Sequence, residues 1–136
     1  MQPQFTKISS AEAFRCRIFN VLKDSIRLAS GRVTERFTVV HPGAVVILPL
    51  TSEGKLMMIR QYRHSIAKTI LEAPAGTLEE GEHPEDCAKR EIMEEVGMQA
   101  EKWTPLGVLY PAPGFCTELQ HLYLAEELTP GRLPQD

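Results

Sequence analysis

One segment in the second half of the chain limits the fold more than any other, because its ends and its periodicity both indicate an α-helix. Pro84 suits the first turn of a helix, where its missing N–H is not needed, and Gly97 is a natural stop at the other end. Apolar residues recur between them at intervals of four, at Ala88, Ile92 and Val96. The sequence therefore predicts a helix from about Pro84 to Val96 with one stripe facing a core.

The same segment concentrates negative charge beside its apolar stripe. Glu91, Glu94 and Glu95 stand at spacings of three and four, which bring like charges together on a helix. Their repulsion costs only ~0.2–0.5 kcal/mol per exposed pair, so a bound dication easily outweighs it. Carboxylates at these spacings can share Mg²⁺ together with water and phosphate oxygens. An isolated acidic helix is more often a solvated face. The sequence around this helix therefore decides whether it is a solvated face or a cation site.

Strand patterns account for most of the remaining chain. Rough alternation from Phe14 to Val40, interrupted by the turn "ASGR", predicts an antiparallel hairpin or small sheet. The run "AVVILPL", residues 44–50, has no alternation, so we expect a strand buried on both faces. Further strands or extended segments are predicted in "KLMMIRQY" (55–62), "TILEAPAG" (69–76), "PLGVLYPAPG" (105–114) and "ELQHLYLAEEL" (118–128).

Composition limits the classes of partner. The 136 residues fit one domain, and a formal net charge of -3 with only short basic clusters, such as Arg15 to Arg17, argues against nucleic-acid binding. Three cysteines without a CxxC pair indicate neither a zinc knuckle nor a disulfide framework. The N-terminus has no signal-like apolar run, and "GAVVILPL" is too short to span a bilayer. We expect a soluble, cytoplasmic protein with no membrane partner.

The acidic helix belongs to a longer pattern, "GTLEEGEHPEDCAKREIMEEVGM", residues 76–98. This stretch resembles the signature of the Nudix hydrolase superfamily at every defined position. A chance match in a chain this short is expected about once in ten million sequences. The matching positions are Gly76, Glu82, Arg90, Glu91, Ile92, Glu94, Glu95, Gly97 and Met98.

The resemblance implies a fold and a division of the chain. It implies an α/β class, a Nudix α/β/α sandwich with a mixed central sheet, preceded by an antiparallel sheet that mediates dimerisation. Residues 1–42 would form that N-terminal sheet region and residues 43–136 the catalytic domain.

The resemblance also implies a metal site and roles for individual residues. The expected cofactor is Mg²⁺, or Mn²⁺ in its place. Arg90 would orient the glutamates by ion pairing, and Glu82 would join the site through a bound water. The implied metal ligands are Glu91 and Glu95, with the Ala75 carbonyl and Glu94 completing or supporting the site.

Three further stretches resemble the ADP-ribose pyrophosphatase branch of that superfamily: "RQYRH" at 60–64, "LEAPAG" at 71–76, and "YPAPGFCTELQHLYLAEEL" at 110–128. Pro113 stands about fifteen residues past the signature, as in that branch. The branch implies a homodimer in which Arg63 and Glu118 contact substrate, and arginine suits bidentate phosphate binding. Plainer interpretations stay open: Arg63 as a strand-end charge, Glu118 as a loop brace and Pro113 as a stiffener.

The expected activity is Mg²⁺-dependent hydrolysis of a nucleoside diphosphate sugar, first of all ADP-ribose to AMP and ribose 5-phosphate. GDP-mannose, other nucleotide sugars and dinucleotides are the alternative substrates. A non-catalytic domain that binds a nucleotide sugar is the alternative from a different class.

One departure from the branch concerns the general base. The branch continues into an acidic loop and a C-terminal helix that supply a glutamate usually regarded as this base, whereas this sequence stops at Asp136. We therefore expect the C-terminal helix to be absent. The base would be Glu118 or Glu82, or a residue beyond position 136.

Overall fold

The structure, a computed structural model, describes residues 4–131. Its contacts divide the chain into two compact units, which we describe separately. One unit takes the described residues up to Pro42 together with Tyr110–Glu118, and the other takes Gly43–Leu109 and the described residues from Leu119 onward. The predicted functional division into 1–42 and 43–136 stays a prediction. The predicted general base beyond residue 136 lies outside the described residues.

The first unit contains a three-stranded antiparallel sheet in the order β1-β2-β3. Its strands are β1 (Phe5–Arg15), β2 (Asn20–Leu28) and β3 (Val33–Val40). The prediction of strands from Phe14 onward was wrong about the start, because it missed most of β1. All of β1 is exposed in this chain, so it has no buried alternation for a sequence pattern to reveal.

The second unit contains a mixed four-stranded sheet in the order β7-β4-β9-β8. Strands β4 and β9 pair in parallel, whereas β4–β7 and β8–β9 are antiparallel. The predicted buried strand is β4, with four of its six residues buried. The strand expected at 105–114 corresponds to β8, which begins at Met98, just after the helix, and ends at Leu109. The bounds are β4 (Ala44–Pro49), β7 (Ala75–Thr77), β8 (Met98–Leu109) and β9 (Gln120–Pro130).

A separate two-stranded hairpin in the second unit joins β5 (Ile59–Arg63) to β6 (Lys68–Glu72). A short 3₁₀ turn at His64–Ile66 connects the strands and ends at Ala67, which has a left-handed φ of 50°. The strand predicted at 55–62 is therefore shorter at its start and one residue longer at its end.

Helix α1 (Pro84–Val96) has the predicted bounds. His83 Nδ1 accepts a hydrogen bond from the Glu85 N–H at 3.3 Å and satisfies one donor of the first turn. Gly97 closes the helix with φ 66°, a left-handed conformation in which glycine has no steric penalty.

The buried face of α1 packs on the mixed sheet. Ala88 and Ile92, from the predicted stripe, are fully buried, and Val96 is partly buried at its edge. Trp103 and Tyr123 meet edge to face with ring centroids 6.2 Å apart. The core cluster consists of Val45, Ile47, Cys87, Ala88, Ile92, Tyr123 and Ala125.

The α/β class, the mixed central sheet and the N-terminal antiparallel sheet are confirmed. Within residues 4–131, α1 is the only α-helix. None of the helical structure in that range has the length and apolar character needed to cross a bilayer.

Candidate active site

The site begins where β7 passes beside the middle of α1. Gly76 lies against the side chain of Glu91, and a Cβ added at residue 76 would overlap with Cγ, Cδ and Oε1 of that glutamate. The missing side chain therefore leaves the space that the carboxylate fills. This contact links the first position of the sequence signature to one of its central glutamates.

Glu95 is fixed to the residue before that glycine. The backbone N–H of Ala75 donates a hydrogen bond of 2.9 Å to Glu95 Oε2. Because Ala75 and Gly76 are consecutive, the chain of β7 holds both carboxylates, one by a hydrogen bond and one by steric fit. The role of the Ala75 carbonyl as a ligand stays a prediction.

Arg90 connects the loop before the helix to the helix itself. Its Nε and Nη2 atoms donate to Oε1 and Oε2 of Glu82, both at 3.0 Å, in a bidentate pair. Nη1 donates to Glu91 Oε1 at 2.6 Å and to Glu94 Oε2 at 3.3 Å. Nη2 also reaches the Thr77 carbonyl at 3.4 Å. One guanidinium thus contacts three glutamates, and the orienting role of Arg90 stays a prediction.

The carboxylates of Glu82, Glu91 and Glu95 have different electrostatic environments. The hydrogen bonds from Arg90 lower the pKa of Glu82 to about 2. Burial raises the pKa of Glu91, although its bond to Arg90 opposes the change. Burial also raises the pKa of Glu95, against the Ala75 hydrogen bond, and the charge of Glu91 adds to the increase. Glu91 and Glu95 are therefore carboxylates whose charges are only partly compensated by the protein.

The described residues contain no group of three or more His, Cys, Asp or Glu side chains arranged to hold a metal ion. Mg²⁺ does not need such a group, since it usually takes one or two carboxylates together with waters and substrate phosphates. Glu91 and Glu95 supply hard oxygen ligands with partly compensated charge, so these residues fit the ion. The predicted ligand Glu94 is more exposed and is engaged by Arg90 at 3.3 Å.

Arg63 lies at the end of β5 and forms an ion pair with Glu72 on β6. Its Nε and Nη2 donate to Glu72 Oε1 and Oε2 at 2.7 and 2.5 Å. The positive charge of Arg63 lowers the pKa of Glu95 and the negative charge of Glu72 raises it, so both charges act on this carboxylate. Sequence reasoning missed Glu72, although it stands in "LEAPAG" three residues before Ala75.

Pro113 and Glu118 belong to the other unit, in the loop Tyr110–Glu118. The loop is fixed to β3 of its own unit: Val39 N–H donates to the Phe115 carbonyl at 2.7 Å, and Thr117 N–H to the Val39 carbonyl at 2.9 Å. The Glu118 N–H donates to Cys116 Sγ at 3.4 Å. The substrate-contacting roles of Pro113, Glu118 and Arg63 stay predictions.

Comparison with known proteins agrees with the signature. The NUDIX domain family matches residues 40–136, and this chain belongs to that family. It is 42% identical over 122 residues to an ADP-ribose pyrophosphatase of Bacillus subtilis (strain 168), which covers 90% of this chain and 66% of that protein. It is 39% identical, with the same coverage of both, to a methanol dehydrogenase activator of Bacillus methanolicus.

A solved structure extends the comparison to the fold. A crystal structure of an ADP compounds hydrolase matches with a TM-score of 0.86 and 27% sequence identity, covering 100% of this chain and 74% of that one. The chain spans about two thirds of the length of the two Bacillus relatives, at 66% of each.

Proposed function

We propose that this chain hydrolyses the pyrophosphate bond of a nucleoside diphosphate sugar, with ADP-ribose as its first substrate and AMP and ribose 5-phosphate as products. The observation that carries the proposal is the pair of half-buried carboxylates, Glu91 and Glu95, held against consecutive residues of β7. The names of an ADP-ribose pyrophosphatase and an ADP compounds hydrolase among the similar proteins support this substrate class.

The proposed cofactor is Mg²⁺, with Mn²⁺ able to replace it. Glu91 and Glu95 would hold the ion, supported by Glu94, by the Ala75 carbonyl, and by Glu82 through a water. When bound, the ion supplies Lewis-acid polarisation and neutralises charge on the phosphate oxygens.

The residues of the chain supply position and charge. Arg90 holds Glu91 and Glu94 in place, and the Ala75 N–H holds Glu95. Arg63 would bind the diphosphate and offset the charge that develops during the reaction. Of the two in-chain candidates for general base, Glu82 is the weaker, because a carboxylate with a pKa of about 2 accepts a proton poorly. Glu118 and a residue beyond position 136 stay the other candidates for the general base.

We also propose that the protein is a cytoplasmic homodimer formed through its N-terminal sheet. Exposed aromatic side chains on that sheet support an interface there, since Phe5, Phe14 and Phe37 are 49%, 56% and 54% exposed.

Glu95→Gln tests the proposed activity directly. Glutamine keeps an oxygen that can accept the Ala75 hydrogen bond but removes the charge that would bind the cation. We expect Mg²⁺-dependent ADP-ribose hydrolysis to fall at least about 100-fold, in the range of lost catalytic electrostatics, with an unchanged circular dichroism spectrum. Glu80→Gln, an exposed position in the same segment, is the matched control and should retain activity. Retained turnover in Glu95→Gln contradicts the assignment.

The substrate preference is tested by measuring binding and hydrolysis of four compounds, each with and without Mg²⁺. These are ADP-ribose, GDP-mannose, NADH and a nucleoside triphosphate. Preference for ADP-ribose supports the proposal, and preference for GDP-mannose selects the alternative nucleotide-sugar activity. Binding without hydrolysis would identify a non-catalytic nucleotide-sugar domain.

A further inference from the structure

Glu72 is a charged residue beside the site for which the proposed chemistry gives no role. In the β5–β6 register, Ile59 lies opposite Glu72 and Arg63 opposite Lys68. Alternation along each strand places Arg63 and Glu72 on the same face, four residue pairs apart. The Arg63 side chain therefore extends back along the hairpin to make its bidentate contact with the carboxylate.

The contact between Glu72 and Arg63 fixes the orientation of the guanidinium as well as the distance between the two charges. Glu72 takes the Nε and Nη2 edge of the guanidinium with both carboxylate oxygens. A planar group held at one edge by two hydrogen bonds has a defined plane, so the direction of its Nη1 hydrogens is also defined. The Glu72 side chain is itself only 17% exposed, which limits its own movement.

The pair is linked to the carboxylate that would bind the cation, because Glu72 stands three residues before Ala75, whose N–H donates to Glu95 Oε2 at 2.9 Å. Both charges act on Glu95, and the effect of Arg63 is larger than that of Glu72. An arginine whose charge acts on Glu95 favours its ionised form and would compete with a cation for it. A carboxylate on the neighbouring strand that holds the guanidinium provides an alternative partner.

We propose that Glu72 is a positioning residue for the substrate diphosphate: it holds the Arg63 guanidinium by one edge, in a fixed plane beside Glu95. This inference rests on the proposed function, because Arg63 must bind the diphosphate for its orientation to matter. Without Glu72, the Arg63 side chain regains rotamer freedom and turns toward Glu95, so the substrate must reorder it on binding.

A double-mutant cycle tests the inference, using wild type, Glu72→Gln, Arg63→Ala and the double variant. We measure kcat/KM for ADP-ribose with Mg²⁺, and separately the Kd for ADP-ribose in EDTA by calorimetry. Glu72→Gln should lower kcat/KM about 10-fold and weaken metal-free binding about 5-fold, within the range of charge-assisted hydrogen bonds. In the Arg63→Ala background the same change should alter both values less than about twofold, because Glu72 acts through Arg63.

Glu126→Gln is the matched control for loss of a cross-strand ion pair. Glu126 on β9 pairs with Lys102 on β8 at 2.6 Å, in the same unit but on different strands from Arg63 and Glu72. It should leave both measurements unchanged, and urea unfolding of all variants shows whether each is folded.

The possible failures are distinguishable. A wild-type chain that neither hydrolyses nor binds ADP-ribose contradicts the proposed function and overturns the inference that rests on it. An active wild type with an unchanged Glu72→Gln variant overturns the inference alone. A loss of equal size in the Arg63→Ala background also overturns it, since Glu72 would then act structurally and independently of Arg63.

Discussion

At the scale of single residues, the site depends on an absent side chain as much as on charged ones. Gly76 has an ordinary negative-φ backbone, so alanine is conformationally acceptable there, and only the space occupied by Glu91 requires glycine. The glycine at the first position of the signature therefore has a local steric cause in this chain, which is the space that the Glu91 carboxylate occupies.

Gly76→Ala should consequently damage both stability and the site. The new Cβ forces Glu91 to move, and overpacking of this kind costs about 1–3 kcal/mol of unfolding free energy. Urea unfolding measures this loss, and ADP-ribose hydrolysis should fall with it. Gly114→Ala is the control, because residue 114 has no atom within 4 Å of an added Cβ and no positive φ. Removing the Glu91 side chain as well should recover most of the stability; if it does not, steric overlap with Glu91 is not the cause.

At the scale of elements, the ion pair between Arg90 and Glu82 joins α1 to the loop before it. This ion pair should make the free energy of unfolding depend on pH. The pKa of Glu82 is about 2 in the folded chain, whereas an unfolded glutamate has an ordinary pKa of about 4.5. A lowered pKa stabilises the folded state fully above pH 4.5, and the contribution disappears as pH falls through 4.5 toward 2. The shift corresponds to an upper limit of about 3 kcal/mol, which solvent screening around the partly exposed Glu82 reduces.

Glu82→Gln should therefore lower the unfolding free energy at pH 7 and have a much smaller effect at pH 3. Urea unfolding at both values measures the difference, which should shrink by about 2 kcal/mol between them. Glu85→Gln is the control, because its pair with Lys89 is a solvent-exposed contact on the same helix and such pairs contribute little. A Glu82→Gln deficit that does not change with pH would exclude Arg90 pairing as its source.

The elements that could be predicted from sequence are those with local signals. Helix α1 has a proline, a glycine and an apolar period, and its predicted bounds of Pro84 to Val96 are the observed ones. Strand β1 has no such signal, because its pairing with β2 rather than its own side chains defines it. Gly107, with φ 127° at a register shift between β8 and β9, similarly marks an irregularity that needs the partner strand to be seen.

The contacts of the candidate site also divide into those with a local sequence signal and those without one. The glutamates and Arg90 are close in sequence on one helix, so their proximity follows from its period. The pairing of Arg63 with Glu72 depends on the register of a hairpin, and the holding of Glu95 by the Ala75 N–H depends on where β7 crosses α1. Contacts across elements are set by packing, which a sequence pattern does not specify.

At the scale of the whole molecule, the exposed apolar side chains of β1 lead to a prediction about assembly. Ile8 and Phe14 are 48% and 56% exposed on this edge strand, so the proposed dimer would bury them. Sedimentation at micromolar concentration should give a species of twice the 15.3 kDa chain mass. Ile8→Lys with Phe14→Lys should weaken dimerisation at least about 100-fold, since two buried apolar side chains contribute about 3 kcal/mol or more. Val108→Lys, at a 58% exposed position in the other unit, should leave the dimer intact. A wild-type chain that sediments as a monomer contradicts the proposed homodimer, whereas a dimer that survives both β1 substitutions places the interface elsewhere.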